Sequence, residues 1–262
     1  MEASVAAQAE VAAQNPAERA AFLSLNLNAG TAAVTDADLL LELEQWNELP
    51  AGQDRLRDGE YVLGVDLSGG SGMTGLVAIW PASGRAEFAG IFCEKPSLYD
   101  RGKTDSCDGY EFMHQAGDLL LVPGRNPAIP DVLTSAENRW GIPSHIVADK
   151  WRKNELFDAI DQLPEWNKAT LILAPMSWES SAEDVRRFRA CVSERWLAPV
   201  TNSLVIWQLS GAKLEYGQRG DQRLVRGRGR TSTRVDCVSA LLLACGEADR
   251  QRKAPKPSWY VA

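Results

Sequence analysis

Asp66, Asp149 and Asp236 are the residues of this 262-residue chain best placed to do chemistry. Asp66 closes the apolar run Tyr61-Val-Leu-Gly-Val-Asp66, Asp149 closes His145-Ile-Val-Ala-Asp149, and Asp236 opens the Ala- and Leu-rich run that follows Arg234-Val235. Carboxylates that converge on one cleft hold hard divalent cations such as Mg2+ or Mn2+, which prefer oxygen donors and keep several waters. Two such ions roughly 4 Å apart can activate a water and neutralise the leaving oxygen of a phosphodiester. Schemes built on histidine have little to draw on, because the chain holds 2 histidines, His114 and His145. Each acid also has a plainer explanation. An aspartate at a strand end caps the following turn, and one in a first helical turn is favoured by the helix dipole. The chemical reading rests on the three together, as catalytic residues and ligands of two metal ions.

The elements around the acids follow from periodicity. From Tyr61 the sequence predicts strands at Tyr61–Leu67, Gly75–Trp80 and Arg85–Glu94, separated by Gly, Ser and Pro turns, which make an antiparallel meander. Alternation comes next: a helix at Gly109–Ala116, a strand at Asp118–Val122, a helix at Asp131–Trp140, and a strand at His145–Asp149. A helix at Arg152–Leu163, a strand at Thr170–Ala174, a helix at Ala182–Trp196, a strand at Ser203–Leu209 and a last helix from Arg234 complete the order. Asp66 and Asp149 then stand at strand ends and Asp236 at a helix start. A meander followed by β/α units is the RNase H-like order, an α/β mixed sheet flanked by helices.

The remaining segments divide the chain into three. Residues 1–58 read as a partly disordered, partly helical linker: an Ala-, Glu- and Gln-rich start, a short helix near Pro16–Leu23, and a helix from the capping box Thr35-Asp-Ala-Asp38 to about Leu49. Residues 59–250 form the main domain and 251–262 a tail. Gly211–Arg230 reads as a basic hairpin, Lys213–Tyr216 and Gln222–Val225 flanking a Gly/Arg turn.

The net charge of −7 is unevenly spread. Residues 1–60 hold 11 acids and 3 arginines, or −8, so the other 202 residues sum to +1. Between 213 and 234 stand Lys213, Arg219, Arg223, Arg226, Arg228, Arg230 and Arg234 against Glu215 and Asp221, a local +5 suited to a phosphate backbone. A solvated loop is the plainer explanation of the same charges. The 5 cysteines are an odd, scattered set without C-x-x-C spacing, which excludes a disulfide framework or zinc ribbon and fits a reducing cytoplasm. Neither an export signal nor a membrane span is expected.

Two nucleotide-binding patterns fail. Arg101-Gly-Lys-Thr104 imitates the end of a Walker A loop, but the first glycine would fall on Ser97, so a solvated turn is expected there. Gly64-Val-Asp-Leu-Ser-Gly-Gly resembles the phosphate loop of actin-like ATPases, but no second such loop follows. Trp80, Trp151 and Trp207 read as core or wall packing, His145 as structural, and Asp105, Asp108 and Asp118 as turn acids.

From Tyr61 to Gly246 the chain resembles the nuclease domain of tailed-phage terminase large subunits. Four stretches carry the likeness in order: Val62-Leu-Gly-Val-Asp-Leu-Ser68, Gly117-Asp-Leu-Leu-Leu-Val-Pro-Gly124, Val147-Ala-Asp-Lys-Trp151, and Arg228-Gly-Arg-Thr-Ser-Thr-Arg-Val-Asp-Cys-Val-Ser-Ala-Leu241. Residues 15–50 are similar to the family's segment between ATPase and nuclease. The resemblance implies an RNase H-like fold and two-metal cleavage of double-stranded DNA in genome packaging. It places the catalytic carboxylates on Asp66, Asp149 and Asp236. Partners would be a packaging ATPase, the small terminase subunit and the portal, in the host cytoplasm and away from membranes. The chain shows no Walker motif, so the ATPase is expected to come from elsewhere. Another RNase H-like nuclease, such as a junction resolvase, and a non-catalytic docking domain are the alternatives.

Overall fold

The computed structural model of the chain describes residues 39–175, 177–217, 221–225 and 233–254. β1 (Val62–Asp66), β2 (Thr74–Ile79) and β3 (Arg85–Cys93) form the antiparallel meander that the alternating turns predict. β4 (Leu119–Val122) then joins β3 in parallel, β5 (His145–Asp149) joins β1 in parallel, and β6 (Thr170–Ala174) joins β5. The strand order is β4-β3-β2-β1-β5-β6, and the two-residue β7 (Ala198–Pro199) shares the outer edge of β3 with β4. A meander that continues into parallel β/α units is the RNase H-like mixed sheet.

The central strands are apolar on both faces because helices cover both. Alternate residues go to opposite sides. Leu63, Val65, Leu76, Ala78, Ile146 and Ala148 pack under α4 (Ile129–Trp140) and α5 (Lys153–Gln162). Val62, Val77, Ile79, Phe88 and Val147 pack under α6 (Trp178–Ser193), α7 (Ser203–Gly211) and α8 (Asp236–Lys253). Asp66 and Asp149 share strand parity with Val62 and Val147, so both lie on the α8 side.

α8 lies flush on β1 and β2. A Cβ added at Gly64 would stand 2.1 Å from the Ala240 carbonyl oxygen, and one at Gly75 2.2 Å from that of Asp236. Only a residue without a side chain admits the helix so close. The basic hairpin forms as expected, with β8 (Lys213–Tyr216) antiparallel to β9 (Gln222–Val225).

Two expectations are corrected. Ser203–Leu209 is a helix, not a strand. It is apolar all round because it is buried all round, and Asn202 caps it by accepting from the Val205 N–H at 3.0 Å. Arg101-Gly-Lys-Thr104 is not a solvated turn but the middle of α2 (Leu98–Asp105), N-capped by Ser97. The Arg101 guanidinium is buried over Phe92 and donates to the carbonyls of Pro96 at 3.0 Å and Lys95 at 2.9 Å. Within the segment read as a linker, Leu40, Leu41, Trp46 and Leu49 belong to the core, with a short helix, α1 (Leu43–Asn47), between them. At the other end α8 runs on to Lys253, into the segment read as a tail. The helix expected near Pro16–Leu23 lies outside the described residues, as does the start of the one expected from Thr35.

Candidate active site

Asp66 and Asp149 are neighbours by construction. Val65 pairs with Ala148 across the parallel β1–β5 ladder, so the next residue of each strand emerges beside the other at the same sheet end. Each strand stops there because its continuation turns away. After Asp66 comes the Gly/Ser loop to Met73, held by Ser68 N–H donating to Thr74 Oγ1 at 3.2 Å. Arg101 reaches the Ser71 carbonyl and Arg152 the Ser68 carbonyl, so two guanidinium groups fasten that loop. After Asp149 the chain makes a tight turn in which the Trp151 N–H donates to Asp149 Oδ1 at 2.7 Å. That bond is the ordinary turn-capping role of an aspartate, and it also fixes the carboxylate's direction.

Asp236 reaches the same end by another route. Asp66 pairs with Gly75 across the β1–β2 ladder, and Gly75 lies under the backbone of Asp236, the first residue of α8. Val235, which precedes the helix, offers no side-chain cap. The fully buried Gln208 of α7 supplies one instead, its Oε1 accepting from the N–H groups of Cys237 at 2.8 Å and Val238 at 3.3 Å. The Asp236 side chain is buried at 3% exposure. Its Oδ2 lies 3.8 Å from the Arg234 Nη1, and Arg234 in turn is bonded to Asp105, which also accepts from the Tyr110 hydroxyl at 2.9 Å. Burial works against the Arg234 charge, but Asp236 and Asp105 outweigh it and raise its pKa above the ordinary value.

Asp66 and Asp149 open onto a cleft of about 170 Å³ between the sheet end, α6, α8 and the hairpin. Leu242 and Leu243 of α8 and Leu224 of β9 wall it, and Ser239 offers a hydroxyl. A third acid faces it that the sequence reasoning missed: Asp184 of α6, whose carboxyl is pushed up to about 6 by burial, against the pull of Arg250 and Arg187. Helical spacing on α6 was its only signal in the sequence, since 184 falls one position before the buried Val185. Asp236 does not line this cleft, and among the described residues no three His, Cys, Asp or Glu side chains are drawn together as a finished metal cage. The donors are nonetheless of the right kind for a hard divalent ion: Asp66 and Asp149 side by side, with solvent access for the waters that such an ion keeps.

The seven cations assigned to DNA fare differently. Arg219, Arg226, Arg228 and Arg230 lie outside the described residues. Arg223 packs 4.1 Å over the Trp178 ring and pairs with Glu215, and Lys213 begins β8 with its side chain half-buried. Arg234 is turned inward onto Asp105 and Asp236. Of the three tryptophans read as packing, Trp80 and Trp207 are buried, but Trp151 is 76% exposed. His145 meets Ser144 Oγ at 2.9 Å, a structural contact. Asp118 accepts from the Ser203 N–H at 2.6 Å, and so holds α7.

The fold has counterparts among solved structures. The large terminase of bacteriophage HK97 matches with a TM-score of 0.66 at 19% identity, over 94% of this chain and 50% of that one. The chain shares its fold with part of a phage large terminase. It spans half the length of the HK97 protein. The large-terminase nuclease of thermophilic phage G20c, solved with bound magnesium, aligns at TM-score 0.44 and 15% identity, over 72% of this chain and 82% of that one. The nuclease domain of the phage SPP1 large terminase, solved with bound Mn, gives 0.36 and 14%, over 86% of this chain and 95% of that one. No protein-family model matches the chain, and no curated protein sequence matches it. No helix among the described residues is long and apolar enough to cross a membrane.

Proposed function

We propose that this terminase-like domain is a metal-dependent endonuclease that cleaves double-stranded DNA. One observation carries the reading. Asp66 and Asp149 emerge together from adjacent parallel strands, on the face covered by the helix that Asp236 begins. Two Mg2+ or Mn2+ ions bound there would supply a nucleophile at neutral pH and neutralise the leaving oxygen. Asp66 and Asp149 would hold them from the sheet end, with Asp236 contributing from the start of α8.

The chain's own groups have separate tasks. The Trp151 N–H holds the Asp149 carboxylate towards the cleft. Arg234 neutralises Asp236 until a cation does so, and its bond to Asp105 keeps it from swinging into solvent. Arg101 and Arg152 hold the loop after Asp66 from two sides. Lys213, Arg219, Arg223, Arg226, Arg228 and Arg230 would neutralise backbone phosphates without reading sequence. In a packaging motor the domain would act with an ATPase, a small terminase subunit and a portal in the host cytoplasm.

The test is nicking of supercoiled plasmid in Mn2+. Asp66→Ala, Asp149→Ala and Asp236→Ala should each lower the rate at least about a hundredfold, in the range found for removing one group that stabilises transition-state charge. Far-UV circular dichroism should stay unchanged. Metal-dependent nicking by Asp66→Ala at the wild-type rate sinks the assignment. Linear duplex compared with four-way junction substrates separates a packaging nuclease from a resolvase.

A further inference from the structure

Trp151 is the one tryptophan among the described residues that is exposed, at 76%, and it stands two residues after Asp149. Trp46, Trp80, Trp140, Trp166 and Trp207 are all buried. An indole left in water forgoes the stabilisation that burying a large apolar ring brings, and no other ring or cation among the described residues stacks on it. Its backbone is nonetheless held firmly. The Trp151 N–H is bonded to Asp149 Oδ1, and the next residue, Arg152, is fastened to the Ser68 carbonyl and to Glu155. The turn is therefore fixed against the loop that follows Asp66, and the exposed indole stands on a held backbone two residues from Asp149, which lines the cleft. Lys150 and Lys153 flank it, both exposed, while the charge of Arg152 is satisfied by Glu155.

We infer that Lys150, Trp151 and Lys153 form a DNA-contact ridge beside the proposed active site. Trp151 packs on the sugar–base surface next to the cleaved phosphate, and the two lysines neutralise flanking phosphates. The chemistry favours DNA over a protein partner. Lysine is depleted at protein interfaces, whereas an aromatic face between cations suits a polyanion whose sugars and bases offer flat surface. The ridge is separate from the basic hairpin, which approaches the cleft from the α6 side. The inference rests on the nuclease reading of Asp66 and Asp149, whose cleft the ridge borders.

The test uses the full 262-residue chain. Binding to a short fluorescein-labelled duplex is followed by anisotropy with Ca2+ in place of Mn2+, alongside plasmid nicking in Mn2+. Trp151→Ala should weaken duplex binding about tenfold, the order expected when a large apolar ring loses its contact surface, and slow nicking at low DNA in proportion. Trp151→Phe should restore most of both. The pair Lys150→Ala with Lys153→Ala should make the slope of log Kd against log salt shallower by about two. Melting temperatures should not move, because all three side chains are in solvent. Trp151→Ala binding within about twofold of wild type overturns the ridge. The two readings fail separately. A wild-type chain that does not nick, yet binds duplex through Trp151, removes the nuclease and keeps the ridge; one that nicks with Trp151→Ala unaffected removes the ridge alone.

Discussion

Asp184 illustrates how one carboxyl can serve a site and weaken a fold. Its pKa is about 6, raised by burial against α8, where a Cβ on Gly246 would come 2.9 Å from its Oδ1. An unfolded aspartate titrates near 3.9, so the folded chain holds this proton more tightly. The stabilisation is full below the unfolded value and is lost as pH rises through about 6. Above that pH a desolvated charge remains. Asp184→Asn should therefore melt higher than wild type at pH 8, by about 1–2 kcal/mol, and lose that advantage near pH 4. Equal melting curves at both pH values would show that the carboxyl is well solvated. The placement of Asp66 and Asp149 at strand ends and of Asp236 at a helix start was legible in the sequence because each ends or begins an apolar run. Asp184 was not, because an acid inside an amphipathic helix looks like any solvated one. Trp151 was misjudged for the opposite reason: most tryptophans are buried, and only the turn after β5 decides that this one is not.

The strands of the meander and of the parallel half were readable within a residue or two, because an apolar run bounded by Gly, Ser and Pro leaves few alternatives. Ser203–Leu209 was not. Leu204-Val-Ile-Trp-Gln-Leu209 is a short, β-branched apolar run, and such runs do not separate a buried strand from a buried helix. Asn202, three positions before the Val205 whose N–H it caps, was the available signal. The helix α2 was hidden behind Arg101-Gly-Lys-Thr104, whose charge suggested solvent although Arg101 is a buried clasp on the loop after Asp66. The close seat of α8 on β2 was equally invisible, since a glycine in a strand has several explanations. It makes a clear prediction. Gly75→Ala should force the first turn of α8 outward, destabilise the fold by about 2–3 kcal/mol as overpacking does, and cut nicking more than the lost stability explains. Full activity in a stably folded Gly75→Ala chain would show that the position of Asp236 is not critical.

The molecule as a whole joins two helical layers through one sheet, and the proposed metal ligands come from both strands and helix. Ions held between them should tie α8 to the sheet. Mn2+ at a hundredfold excess over its Kd should add about 2.7 kcal/mol to the unfolding free energy, seen as a rise in Tm that Asp66→Ala abolishes. A Tm indifferent to Mn2+ would argue against a divalent site between these elements. The order of the elements also sets a schedule. Asp66 lies early in the domain and Asp236 170 positions later, on the helix that covers β1 and β2 last. At ribosomal speed that separation is on the order of ten to thirty seconds. Throughout that interval β1 and β2 lack the helix that covers them, so if Asp236 is one of the ligands, a half-made copy would lack it and would leave the DNA around it uncut.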